Sequence, residues 1–118
     1  MTEFLGWTGF VILLSTLVPF VLRRVGKYSA PASFFTRRHH FFALASFMVL
    51  TLHGLWALFG RKGWGWGAKE NTLSGLAAWL LLLSVIVLAE RYAGKRPLQR
   101  THCGVAALMV ALAFYHAF

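Results

Sequence analysis

The sequence has a single cysteine, Cys103, no aspartate, and only three glutamates, Glu3, Glu70 and Glu90, in 118 residues. One cysteine excludes an intrachain disulfide, and the lack of a Cys-x-x-Cys-His motif excludes covalent c-type heme attachment. The scarcity of Cys, Asp and Glu also removes most of the usual ligands for a compact zinc or copper centre. Charged residues make up only 13% of the chain, while 58% is hydrophobic with a mean hydropathy of +0.65, well outside the range of soluble domains.

What fills the chain is apolar sequence in four runs, Phe4 to Leu22, Phe41 to Phe59, Leu73 to Ala89 and His102 to Phe118, none containing Asp, Glu, Lys or Arg. A helix crossing a bilayer needs about 20 mostly apolar residues at about 1.5 Å rise each. Four such helices and their loops use nearly all of residues 1–118, so the sequence predicts one all-α domain, a four-helix transmembrane bundle. Its helices are expected near 4–22, 39–59, 73–90 and 101–118. Lipid leaves helices as the way to satisfy the backbone of so short a chain. A cleavable leader is disfavoured for the first run, which is preceded by Glu3 without Lys or Arg and ends in Arg23 and Arg24. Pro19 is expected to kink the first helix near its end, Pro31 and Pro97 punctuate connections, and Gly60, Gly63, Gly65 and Gly67 form the middle turn.

The net charge of +9 would suggest nucleic acid in a soluble protein, but here the basic residues flank apolar runs, so no nucleic-acid partner is expected. Arg23, Arg24, Lys27, Arg37 and Arg38 lie in the first loop, and Arg91, Lys95, Arg96 and Arg100 in the third. The middle loop has only Arg61, Lys62 and Lys69, partly offset by Glu70. The positive-inside rule therefore puts the first and third loops in the cytoplasm and both termini on the outer side, with Trp64 and Trp66 as outer interfacial anchors. The expected location is a prokaryotic cytoplasmic membrane, crossed several times, with membrane lipid as the immediate surroundings.

The five histidines, His39, His40, His53, His102 and His116, all fall in the second and fourth runs. His39 to His53 and His102 to His116 are both steps of 14 residues, almost four helical turns, so each pair shares a helix face about 21 Å apart along the axis. His40 is rotated roughly 140° from the face of His53, which favours His39 as the partner. The second and fourth helices run in the same direction. That topology pairs His39 with His102 near one surface and His53 with His116 near the other. The 63-residue offset also relates Arg37 to Arg100, each two residues before a histidine.

Facing imidazole pairs in a bundle suit the axial ligation of heme iron, so the cofactors expected are two bis-histidine hemes b. Arg37, Arg38 and Arg100, and on the other side Lys69 or Arg61, are candidate propionate partners; topology and lipid headgroup contact are the simpler explanation for any one of them. His40 is an interfacial residue or a further propionate partner. Gly54 and Gly104 would let a porphyrin approach the backbone or would serve ordinary helix packing. Trp56, Trp79, Phe47 and Phe114 line the hemes or face lipid, and Cys103 reads as a small packing residue.

Paired histidines 13 or 14 residues apart on two parallel helices resemble the diheme cores of cytochrome b in respiratory bc complexes, and of the ferric reductase and NADPH oxidase transmembrane domain. The matching positions are His39 or His40 with His53, and His102 with His116. The resemblance implies electron transfer across the membrane between two b-type hemes, from a quinol or cytoplasmic donor to an acceptor on the other side, with quinone as a further ligand. No flavin or nicotinamide domain is present in these residues, so the expected role is an electron-transfer cytochrome or oxidoreductase subunit. It would work in a larger redox complex or as a homodimer.

Two other classes compete. Four short helices also resemble the small multidrug resistance exporters, but those use a membrane-embedded glutamate, and here Glu3 lies at a helix entrance with none deeper in the first run. A heme-free assembly or quinone-binding subunit is the third.

Overall fold

The computed structural model describes residues 2–26, 30–59, 69–91 and 96–118, and among them there is no strand. In chain order the helices are α1 (Thr2–Ser15), α2 (Val18–Arg24), α3 (Ala30–Arg37), α4 (His39–Phe59), α5 (Lys69–Arg91) and α6 (Arg96–Ala117). The chain divides into two compact units, Met1–His53 and Gly54–Phe118. The middle-loop glycines, Trp64, Trp66, Arg61, Lys62, Lys27 and Lys95 lie outside the described residues.

Three stretches are long and apolar enough to cross a membrane: Glu3–Leu22, His39–Phe59 and Thr72–Arg91. The helix α6 has the length, 22 residues, but opens on Arg96, Gln99 and Arg100 and carries a histidine towards each end, which dilutes its hydropathy.

In the first unit, the first apolar run is not one helix. It breaks at Thr16 and Leu17, just ahead of Pro19, because a proline has no N–H and its ring collides with the carbonyl four residues earlier. The backbone tightens there: the Thr16 and Leu17 amides donate to the carbonyls of Leu13 (3.0 Å) and Leu14 (2.9 Å), three residues back. The amide of Phe20 likewise donates to Leu17 at 3.0 Å, rather than reaching four residues back to Thr16.

The connection from Arg23 to Arg38, expected as a loop, is largely helical. Pro31 sits in the first turn of α3, where its missing N–H costs nothing. Helical bonds also run through the single-residue turn at Arg38, from Arg38 N to Phe34 O (3.1 Å) and from Phe42 N to Arg38 O (3.0 Å). Phe34, Phe35 and Phe42 form an aromatic cluster there, and the Arg38 guanidinium lies 5.2 Å from the centre of the Phe34 ring.

The helices α1 and α4 pack antiparallel through glycines on α1. A Cβ built on Gly9 would stand 2.7 Å from Leu50 Cδ2 and 3.3 Å from Val49 Cγ1, so only hydrogen fits. Phe10, Leu13, Thr16, Pro19 and Ser46 are buried in this unit.

The second unit is built on the hairpin of α5 and α6, with Leu82, Val85 and Met109 buried. Here α5 is unbroken over 23 residues.

Candidate functional site

The last helix of each unit carries its histidines at the same seven-residue beat. On α4 the order is His39, Ser46, His53, and on α6 it is His102, Met109, His116. Seven residues are nearly two turns, with a drift of about 20°, so each trio lies along one face. The midpoints are deeply buried: Ser46 is 0% exposed and Met109 3%. The Ser46 hydroxyl has no hydrogen-bond partner among the described residues, which is rare for a buried oxygen.

In the first unit, His53 seats its imidazole in a notch at Gly6, where a Cβ would come within 2.9 Å of Cε1, 3.2 Å of Nδ1 and 3.5 Å of Nε2. His116 does the same at Gly75 in the second unit, with Cε1 at 2.7 Å, Nε2 at 3.1 Å and Nδ1 at 3.2 Å. In both cases the Cε1 corner of the ring faces the glycine, leaving the two nitrogens on either side.

In each unit a histidine is held through Nδ1. The Nδ1 of His39 lies 3.2 Å from the carbonyl oxygen of Thr16. That acceptor follows from the sequence: the amide that would take the Thr16 carbonyl in a regular helix is Phe20, and the break at Pro19 sends it to Leu17. A carbonyl can only accept, so Nδ1 carries the proton and the ring's lone pair sits on Nε2. In the second unit, His116 Nδ1 lies 3.1 Å from the Ser74 hydroxyl. A hydroxyl can accept from Nδ1–H, which leaves the lone pair on Nε2, or donate to Nδ1, which puts the ring proton on Nε2.

His40 is exposed, its ring 5.9 Å from that of His39 and nearly perpendicular to it. His102 is half-buried with its Nδ1 inaccessible to solvent. Arg37, Arg38 and Arg100 are all exposed, Arg38 over Phe34. Next to the histidines, a Cβ added at Gly54 or Gly104 would meet nothing within 4 Å among the described residues. Cys103 is exposed rather than packed. Among the described residues no three His, Cys, Asp or Glu side chains come together as a metal-binding group, so any metal held here would rest on histidines taken singly or in pairs.

The sequence pattern missed the glycine seats and Ser74. Aligned by the 63-residue offset of the histidines, Gly6 and Gly75 do not coincide, because they are 69 residues apart. At 69 the first helices do correspond: Gly6 with Gly75, Leu13 with Leu82 (each of the latter pair 2% exposed), and Thr16 with Val85. The same register puts Leu5 opposite Ser74 and Leu88 opposite Pro19, so the two units anchor their histidines by different means. No protein-family model, curated protein or solved structure matches this chain.

Proposed function

We propose that this chain is a four-helix membrane protein that binds two b-type hemes and carries electrons between the two faces of the membrane, with His39 and His102 ligating one iron and His53 and His116 the other. The observation that carries the reading is the pair of Nδ1 anchors, Thr16 O on His39 and Ser74 Oγ on His116. An imidazole that donates through Nδ1 keeps its lone pair on Nε2 and has its ring orientation fixed, which is what an iron ligand needs. Under the proposed pairing, each iron receives at least one ligand anchored in this way.

Further support comes from spacing and space. Both 14-residue steps put the members of a pair about 21 Å apart on one helix face, suited to one heme near each surface. The open positions at Gly54 and Gly104, beside His53 and His102, give a porphyrin room against backbone. His39 is preferred to His40 because it is half-buried and anchored, while His40 is exposed.

The membrane reading rests on three apolar stretches of at least 20 residues and on an apolar exterior that water would not tolerate, with Phe4 72%, Val11 61% and Leu73 65% exposed. The fourth crossing is α6, whose histidines are the polar content that a heme would satisfy. The charge imbalance between loops supports an orientation with both termini outside. The chain supplies electron carriage; a quinol or redox protein supplies and removes electrons.

When bound, the hemes supply one-electron chemistry; the protein's part is to hold and orient the imidazoles, keep water away and tune the irons. The test is a dithionite-reduced minus oxidised spectrum of detergent-purified protein, with heme per chain measured as the pyridine hemochrome. Two hemes b per chain are expected. Protein produced with ample heme and purified colourless would overturn the reading in favour of a transporter or a heme-free assembly subunit.

A further inference from the structure

We propose that Ser74 is a positioning residue for the iron ligand His116, and that its hydroxyl, set against the Thr16 carbonyl on His39, gives the two heme sites unequal reduction potentials. This rests on the diheme reading above and goes beyond it in assigning a tuning role to groups that touch neither iron nor porphyrin.

Ser74 is 8% exposed and lies on α5, next to the glycine that seats the same imidazole. Its Oγ, 3.1 Å from Nδ1, and the gap at Gly75 together fix both the rotation and the depth of the ring. Two arrangements share this geometry. In one, Nδ1–H donates to Oγ; in the other, the hydroxyl donates to Nδ1 and the proton sits on Nε2. An iron held by Nε2 would require the first.

The strength of the acceptor then matters. A proton donated from Nδ1 raises the basicity of the ligating nitrogen, which favours ferric over ferrous iron and lowers the potential. The acceptor on His39 is a backbone carbonyl released from its helix, a strong and fixed acceptor that cannot donate in return. The acceptor on His116 is a hydroxyl, a weaker one that can rotate. The His39 site is therefore the lower in potential and the His116 site the higher.

This asymmetry is written into the two first helices. Leu5 occupies the position corresponding to Ser74, and α5 has no proline where α2 has Pro19, so neither unit can copy the other's anchor.

The experiment is a potentiometric titration of the purified holoprotein, comparing wild type, Ser74→Ala and Ser74→Thr, with heme per chain measured alongside. Wild type should show two separable transitions. In Ser74→Ala the one belonging to His116 should move to higher potential, changing the oxidised-to-reduced ratio at fixed potential about tenfold, or ~59 mV for one electron. The other transition should stay in place, and Ser74→Thr, which keeps a hydroxyl, should restore the first. Two wild-type transitions unchanged in Ser74→Ala would overturn the proposal while leaving the diheme reading intact. Should Ser74→Ala lose one heme, retention of both in Ser74→Thr supports the role of the hydroxyl, and equal loss in both variants overturns it. Wild-type protein without heme would refute the underlying reading instead.

Discussion

The imidazole of His39 is hydrogen-bonded, through Nδ1, to a carbonyl that exists as an acceptor because of a proline three residues further along another helix. Pro19 breaks the first apolar run, the Phe20 amide turns back to Leu17, and Thr16 presents its oxygen sideways to α4. Restoring a regular helix would withdraw it. Pro19→Ala should therefore shift the low-potential transition, the one Ser74→Ala leaves alone, in a redox titration of the holoprotein. An unchanged transition would show that the Thr16 carbonyl does not tune the iron.

Removing a ligand should remove heme. His53→Ala and His102→Ala should each reduce heme per chain by about half or more in a pyridine hemochrome assay, since an iron left with one imidazole is held weakly. His40→Ala should retain the full content because His40 is exposed, and His39→Ala should not. The opposite order for His39 and His40 would reassign the ligand.

The glycines separate into two kinds, and alanine should tell them apart. At Gly75 a methyl would stand 2.7 Å from His116 Cε1, forcing the ring from its seat at a cost of about 1–3 kcal/mol. Gly75→Ala should lower both thermal stability in detergent and heme content. At Gly104 a methyl meets nothing and improves helix propensity, by up to about 1 kcal/mol in the apoprotein. If a porphyrin lies against that backbone, Gly104→Ala should lower heme content while leaving apoprotein stability unchanged or raised; equal heme content would show the space is not used.

Ser46 offers a cleaner thermodynamic test. Its hydroxyl is buried without a hydrogen-bond partner among the described residues, so Ser46→Ala should not destabilise the apoprotein and should gain about 1 kcal/mol at most in thermal unfolding. A clear loss would mean that the oxygen is bonded after all, to water or to a bound group.

Cys103, exposed about two turns into α6, reports topology. With the proposed orientation, a membrane-impermeant maleimide should label it in inverted vesicles and not in right-side-out ones. The reverse pattern would invert the assignment of the termini.

Much of the helical architecture was legible in the sequence because apolar runs, prolines and histidine spacing act locally. The break at Pro19 falls where a missing N–H and a crowded carbonyl require it. The helical character of residues 30–37 was less legible, since charge and a proline at 31 read as a connection while an aromatic cluster of Phe34, Phe35 and Phe42 favours helix there. The histidine faces followed from a 14-residue beat. Their anchors did not, because Thr16 O is a backbone atom invisible to composition, and Ser74 and Gly75 are unremarkable residues until α6 is laid against them. One further signal was present but unread: the match of Gly6, Leu13 and Thr16 with Gly75, Leu82 and Val85 at an offset of 69, hidden behind the histidine offset of 63.

The difference between those two offsets separates what may vary in length from what may not. From Leu13 to His39 is six residues longer than from Leu82 to His102, and the excess falls in the connection containing α2 and α3. Because the glycine seats fix how each first helix meets its second, the connection between them need only be long enough to return. Insertions and deletions there are the ones a lineage, or an engineer, can accumulate. A single residue added between His39 and His53, or between His102 and His116, would turn one imidazole about 100° away from the other.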